Sequence, residues 1–423
     1  MESKKMTGPP KAVVVGGSIA GLSCAHALIA AGWQVTVIEK SGTAPSGSPT
    51  GAGLALDPQS MKIVDRWISN PDLLRDITLP LSIDLNQATD SAKKISWRLA
   101  RDESCNLRAA HWADLHSIMY KALPPGIVLR GHQFLSFHIS NDDNSVVTKS
   151  RIVQTNEIVE IVGDLLVAAD GCLSTIRQHF LPDLKLRYSG HIAWRGVLDF
   201  SGEENSDTMV GIRRAYPELG HCLYFDLADR AHCVLFELPN RRLNWVWFHN
   251  WPEPENKRKS MTLKPSNDMT QKMFEEAEKV WVPELAKVMK ETQQPFINVI
   301  YDADPLPKLF WDNVVLVGDA AHPVVPNGAR STNMSIQDAE TLGLCLKKWG
   351  LENLATALQE FQTIRHPVIT KQVLHSRLMG RLRQGLPLED NTAFDPKAAS
   401  ADECKWLQYR NMPYVEHGAP TSI

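Results

Sequence analysis

The segment Gly16-Gly17-Ser18-Ile19-Ala20-Gly21 follows the apolar run Ala12–Val15 and opens a helical pattern. Glu39 closes a second apolar run 18 residues beyond Gly21. That spacing is the layout of a dinucleotide site. Gly16 permits the turn, Gly21 lets helix and strand pack closely, and the free N–H groups at the helix start face a pyrophosphate. Glu39, followed by Lys40, stands where a carboxylate accepts hydrogen bonds from ribose hydroxyls. Ser18 replaces the middle glycine of GxGxxG; it is small enough to fit, and its hydroxyl can donate to the phosphates.

Two more carboxylates end apolar strands: Asp170, before Gly171, and Asp319, after Gly318. Asp-Gly is also a common turn dipeptide, so the weight lies in the combination. Together with the first turn, these segments are what a flavin dinucleotide requires. Asp319 is placed to accept from a ribityl hydroxyl. A helix starting near Asn333 would aim its amides at the edge of the ring where charge gathers on reduction, which favours the reduced form by ~0.3–2 kcal/mol. His322 and Pro323 are read as structural neighbours of that turn.

The elements that must position these groups are legible in outline. A βαβ unit spans roughly residues 11–39, and Ser41–Thr50 reads as a loop. Gly51–Leu56 is a glycine-bearing strand, with helices expected near Pro58–Trp67 and Asp114–Ala122. Short strands with a turn at Asn141–Asn144 lead into the buried strand before Asp170. Segments 191–200, 208–214, 221–226, 231–238 and 243–249 read as strands of an antiparallel sheet. Helices are expected over Met269–Lys290, interrupted at Pro283, from about Asn333 to Lys348, and from Leu351 through Leu382 with a bend or break at Pro367. Trp245 and Trp247 alternate correctly for one packed face of a strand.

Three of these regions resemble the FAD-dependent aromatic hydroxylases, the group A flavoprotein monooxygenases with the p-hydroxybenzoate hydroxylase fold. They are Val14–Leu22 with Glu39-Lys40 and Gly51–Gly53; Asp164–Arg177; and Gly318–Pro323 continuing through Pro326, Gly328, Asn333 and Asp338-Ala339, with Arg365-His366-Pro367 beyond. Tyr188–Gly196 and Asn244–Phe248 look like the dihydroxypyridine hydroxylase branch. Arg330-Ser331-Thr332 departs from the usual glycine-rich stretch before Asn333, and Arg330 adds a cation there.

The resemblance implies an α/β architecture: a Rossmann-like FAD-binding domain, a mixed or antiparallel β-sheet substrate domain, and C-terminal helices. The boundaries expected are 1–185 and 296–350 for the two parts of the FAD-binding domain, 186–295 for the substrate domain and 351–423 for the helical extension. FAD would be held by Gly16, Ser18, Ile19, Ala20, Gly21, Glu39, Lys40, Gly53, Arg108, Asp170, Asp319, Pro326, Gly328, Ser331, Thr332 and Asn333. NADPH, or NADH, would reduce the flavin, and O2 adding at C4a would give a hydroperoxide that hydroxylates a small electron-rich aromatic or heteroaromatic compound. Epoxidation or oxidative dearomatisation would use the same chemistry; a non-catalytic binding protein on the same fold is the reading from another class.

For the substrate, His191, His221 and Tyr224 are candidate bases. Arg195, Arg213 and Arg214 are candidate carboxylate partners, and Trp194 could shield the pocket. His249 and Tyr216 lie in the same region.

Composition narrows the partners. A net charge of −3 gives no electrostatic case for nucleic acid, and Lys4-Lys5 and Lys257–Lys259 read as solvated. The seven cysteines have no metal spacing and fit reduced thiols. No signal peptide, membrane span or C-terminal address is recognisable, so a cytoplasmic enzyme without bound metal is expected.

Overall fold

Lys11–Val15 is the central strand of a six-stranded sheet because its four apolar residues are covered on both faces, as parallel strands require. It pairs in parallel with Gln34–Glu39 on one side and Leu165–Ala168 on the other. Val128–Arg130 and Val314–Leu316 extend the sheet in parallel, and Phe310–Trp311 closes one edge antiparallel. The helices Ile19–Ala30 and Ser331–Trp349 pack on it and on each other. The computed structural model describes residues 8–43, 51–68, 70–90, 92, 95–140, 145–254 and 260–408. The expected turn at 141–144, the basic runs at 4–5 and 257–259, most of the 41–50 loop and the C-terminal address lie outside the described residues.

Above the carboxyl ends of these strands stands an eight-stranded sheet, in the order Thr262–Leu263, Phe296–Asp302, Arg187–Asp199, Arg242–Asn250, Ala231–Leu238, Cys222–Ala228, Ile83–Asp90, Ile95–Asp102. It is mixed: all pairings are antiparallel except that of Cys222–Ala228 with Ile83–Asp90. Alternation divides its residues. Trp194, Tyr224, Trp245 and Trp247 pack with Trp281 against the helices Asp207–Ala215, Asn267–Val280 and Pro283–Glu291. Their neighbours Arg195, Phe225, Val246 and Phe248 face the opposite way, over a cleft. A small sheet of Gly53–Leu56, Leu107–His111 and Thr78–Leu81 walls one side.

The parallel sheet with its helices and the mixed sheet above it are as expected in class, with corrections in detail. Residues 208–214 are helix, not strand. Ser206 caps it by accepting from the Met209 N–H at 3.3 Å, Asp207 lies in its first turn, and Arg213 and Arg214 lie in its last. These end charges favour the helix dipole and outweigh the β-branched Val210 and Ile212. The roof sheet also takes strands from 83–102 and 296–302, so a substrate domain limited to 186–295 omits three of its strands. Leu354–Arg383 runs as one helix with Pro367 inside it, whereas Pro283 does end one helix and begin another.

Candidate active site

The first turn is built as its glycines dictate. Gly16 has φ +107°, and a Cβ on Gly21 would stand 1.8 Å from the Gly16 carbonyl oxygen, so helix and turn could not approach with any larger residue. Glu39 accepts from the Gly17 N–H at 2.7 Å and the Ser41 N–H at 2.6 Å. His116, which sequence reasoning passed over, braces the turn by bonding its Nε2 to the Gly17 carbonyl at 2.8 Å. Ser18 is exposed at the helix start and Ile19 is buried behind it; Ala20 is half-buried and Lys40 exposed.

The helices that begin at Ile19 and Ser331 have no side-chain cap, whereas those at Pro58, Trp112, Asp207 and Asn267 are capped by Asp57, His111, Ser206 and Ser266. Uncapped starts leave several N–H groups and a partial positive charge for another acceptor. (Two starts elsewhere are also uncapped: Pro283, which has no N–H, and Leu354, which continues a 3-10 turn.)

Asp170 accepts from the Thr175 N–H at 2.9 Å through Oδ2, while its buried Oδ1 has no partner. Burial raises its pKa, against hydrogen bonds from Ser174, Ile176 and Thr175 that lower it. Arg177 ties this loop to the next carboxylate. Its Nη1 donates to the carbonyls of Asp319 and Ala320 at 3.2 and 2.9 Å, and its Nη2 to that of Cys172 at 2.5 Å. Asp319 accepts from the Ser331 hydroxyl at 2.6 Å.

Behind Asp319 the fully buried Asp338 organises the turn. It accepts from the Gly318 N–H at 3.0 Å, bonds His322 Nε2 at 2.6 Å, and accepts from Arg365 Nε at 2.8 Å. Burial raises the Asp338 pKa, but the charges of His322 and Arg365 and the hydrogen bonds outweigh it and hold the carboxyl at about 2. His322 is thus structural.

Arg330 does not present a free cation to the cleft. It is buried against Asp57, Nη1 to Oδ2 at 2.9 Å, and Gln337 reaches the same oxygen at 3.2 Å. Asn333 turns its amide to the Asp57 N–H at 2.9 Å and the Ala55 carbonyl at 2.9 Å. It fastens the strand Gly53–Leu56 to the helix start; the side chain does not point into the cleft. Arg108 likewise engages Thr78, at 2.7 and 3.0 Å, and is not among the residues lining the cavity.

Where the sheets meet there is a cavity of about 590 Å³. It gathers Gly53, Arg195, Asp319, Pro326, Ser331 and Thr332 from the sequence expectations, with Phe225, Phe236, Phe248, Phe296, Asn298 and Asn327. Gly328 is buried in the turn Pro326–Gly328 that edges it. Arg195 donates to Asn298 Oδ1 at 3.2 Å and to the Gly53 carbonyl at 3.3 Å, and burial alone lowers its pKa to about 10.

The other substrate candidates are placed elsewhere. His221 is exposed in a turn. Tyr224, Tyr216 and Trp194 face the helical layer, and the Tyr224 hydroxyl accepts from the Glu218 N–H at 3.0 Å. Arg213 pairs with Glu237, and Arg214 is exposed on the same helix. His249 is half-buried beside Trp251. His191 is buried on the cavity side of its strand, edge-on to Phe248, and burial takes its pKa down to about 4.

The cavity wall is held from behind by residues that carry no local sequence signal. Gln384 donates from Nε2 to Asn250 Oδ1 at 2.9 Å, so its Oε1 must accept the 2.7 Å bond from His232 Nδ1–H. His232 Nε2 then accepts from Asn327 Nδ2 at 3.2 Å, and its ring stacks on Phe248. Arg383 donates to the carbonyls of Asn327 and Leu407, both at 2.9 Å, and lies 3.6 Å from the Phe225 ring centre.

Unfilled helix starts, an unpartnered Asp170 oxygen and a second carboxylate beside an apolar cavity suit a ligand with a diphosphate, sugar-alcohol hydroxyls and a flat ring. FAD has those parts. The family model described as FAD binding domain matches residues 10–376, and the chain belongs to that family. It is 26% identical over 369 residues to 6-hydroxynicotinate 3-monooxygenase of Bordetella bronchiseptica, covering 85% of this chain and 88% of that one. It is 24% identical over 418 residues to 2,6-dihydroxypyridine 3-monooxygenase of Paenarthrobacter nicotinovorans, covering 92% and 96%. In fold it matches the crystal structure of Klebsiella pneumoniae HpxO complexed with FAD and uric acid, with a TM-score of 0.74 at 20% identity over 97% and 95% of the two chains. No helix among the described residues is long and apolar enough to cross a membrane, and the seven cysteines form no disulfide.

Proposed function

We propose that this FAD-dependent monooxygenase uses NAD(P)H and O2 to hydroxylate a small, electron-rich aromatic or heteroaromatic anion. The observation that carries the reading is Arg195: a half-buried cation with neutral partners, on the wall of an apolar cavity beside the Asp319–Ser331 turn. The relatives' names support it, since 6-hydroxynicotinate carries a carboxylate and both relatives act on pyridine rings.

Bound FAD supplies hydride acceptance and oxygen activation. The chain's residues do the rest. The turn at Gly16 and the helix start at Ile19 would take the pyrophosphate, Glu39 and Asp319 the hydroxyls, and the amides at Ser331–Asn333 the polar edge of the ring. Phe225, Phe236, Phe248 and Phe296 exclude water and give the substrate ring a flat apolar bed. Among the described residues lining the cavity there is no histidine. Arg195 therefore takes the electrostatic part, stabilising the ionised form of the substrate, which is the electron-rich form.

The test is NADPH and NADH oxidation by FAD-loaded protein against phenols, hydroxypyridines, their carboxylates and alkenes, with product masses. Substrate-dependent NAD(P)H oxidation and a gain of one oxygen atom on an aromatic ring are expected. No stimulation by any compound would overturn the proposal, and oxygen added only to alkenes would replace it with epoxidation.

A further inference from the structure

Arg195 owes its unpaired charge to one neighbour. Its Nη1 donates to Asn298 Oδ1, its Nη2 to the Gly53 carbonyl, and its buried Nε has no partner. Asn298 must turn Oδ1 to the arginine, because a guanidinium only donates; its Nδ2 then donates to Thr262 Oγ1 at 2.8 Å, which a hydroxyl can accept. Both lie on strands whose pairing sets them side by side across the cavity face: Ala193 pairs with Asn298, and Arg195 with Phe296. An aspartate has the same shape as asparagine. At position 298 it would form a charge-assisted bond to Arg195 and neutralise the cavity before any ligand arrived.

We propose that Asn298 determines substrate charge: as a neutral acceptor it orients Arg195 while reserving its charge for an anionic aromatic ligand. This rests on the cavity being the substrate site, as argued above. A half-buried guanidinium with no counter-charge is only partly solvated, which is unfavourable. A carboxylate or phenolate relieves that state on binding and a neutral ligand does not, which makes Asn298 a device for rejecting uncharged aromatics as well as admitting anions.

The experiment measures dissociation constants from the perturbation of the flavin spectrum in FAD-loaded protein, with salicylate and 6-hydroxynicotinate against salicylamide and 6-hydroxynicotinamide. Wild type should favour each carboxylate over its amide. Asn298→Asp should weaken the carboxylates about tenfold or more and leave the amides within about threefold. In an Arg195→Gln background the same change should move carboxylate affinity by less than about threefold. Asn298→Ser, which keeps a neutral acceptor and guards against a misfolded aspartate variant, should retain the preference for carboxylates.

Several results overturn the proposal, and they differ in what else falls. If wild type prefers carboxylates and Asn298→Asp still does, or Asn298→Ser does not, Asn298 is not the determinant and the substrate reading stands. If Asn298→Asp shifts the flavin midpoint potential while carboxylate affinity holds, the charge serves the cofactor instead. If wild type binds none of the four compounds, the substrate reading fails with it.

Discussion

Replacing Asp338 by asparagine tests whether the buried turn behind Asp319 is held by charge. The carboxyl sits at about 2 against an ordinary 3.8, which is worth on the order of 2 kcal/mol of stability at neutral pH. A depressed carboxyl pKa contributes fully above the unfolded value, and the contribution disappears as the pH falls through about 2. Asp338→Asn costs more than this term at pH 7. It leaves Arg365 buried without a counter-charge and sets an amide where His322, Arg365 and the Gly318 N–H all bonded oxygen. Breaking a buried pair from one side costs about 3–5 kcal/mol. At about 2 °C per kcal/mol for a long chain, that is a fall of roughly 6–10 °C in Tm. Thermal unfolding of flavin-free protein is the assay, since ligand binding would otherwise add its own stabilisation. The gap to wild type should narrow as the pH falls below about 4. A variant within about 1 °C of wild type at pH 7 would refute the argument, and so would a gap that fails to narrow in acid.

Gly21→Ala places a methyl 1.8 Å from the Gly16 carbonyl oxygen; FAD titration should show affinity lowered about 100-fold or more, and unchanged affinity would mean that the turn is not the pyrophosphate site. His191, with its pKa lowered to about 4 by burial, makes the unfolded chain the better proton binder between about 4 and 6.5. Stability should therefore fall as the pH drops through that window, by on the order of 3 kcal/mol from this residue, and denaturant titrations of His191→Gln should show a shallower slope. Tyr224→Phe loses one hydrogen bond on the helical side of the sheet, so stability should drop by about 1 kcal/mol with kcat/KM retained; a hundredfold loss of kcat/KM would return Tyr224 to the substrate site.

The turn at Gly16 was legible because its demands are local: a positive φ and a contact with no room for a Cβ are written in the residue type. The carboxylate at Asp319 stands out in the sequence as a motif, but its support does not. Gly318, His322, Asp338 and Arg365 meet only when a turn and two long helices pack. The strand holding Tyr224 and Phe225 was readable as a strand, yet its sequence does not say which parity faces the cleft; that is decided by the helices packed on the other face. Arg195 was singled out while Asn298 was not, since an asparagine in a strand carries no signal until its neighbour across the sheet is known. Segment 208–214 forms a helix where a strand is expected: Val210 and Ile212 suit a strand, but Ser206, Asp207 and the arginine pair cap and charge a helix.

Arg383, Gln384 and the Leu407 carbonyl grip the turn and the aromatic wall of the cavity from behind. During synthesis, the glycine turn at Gly16 has emerged from the ribosome long before these residues are added. The pocket can therefore be finished only when almost the whole polypeptide is available, and a chain cut off before Arg383 would hold the glycine turn yet lack the brace behind the cavity.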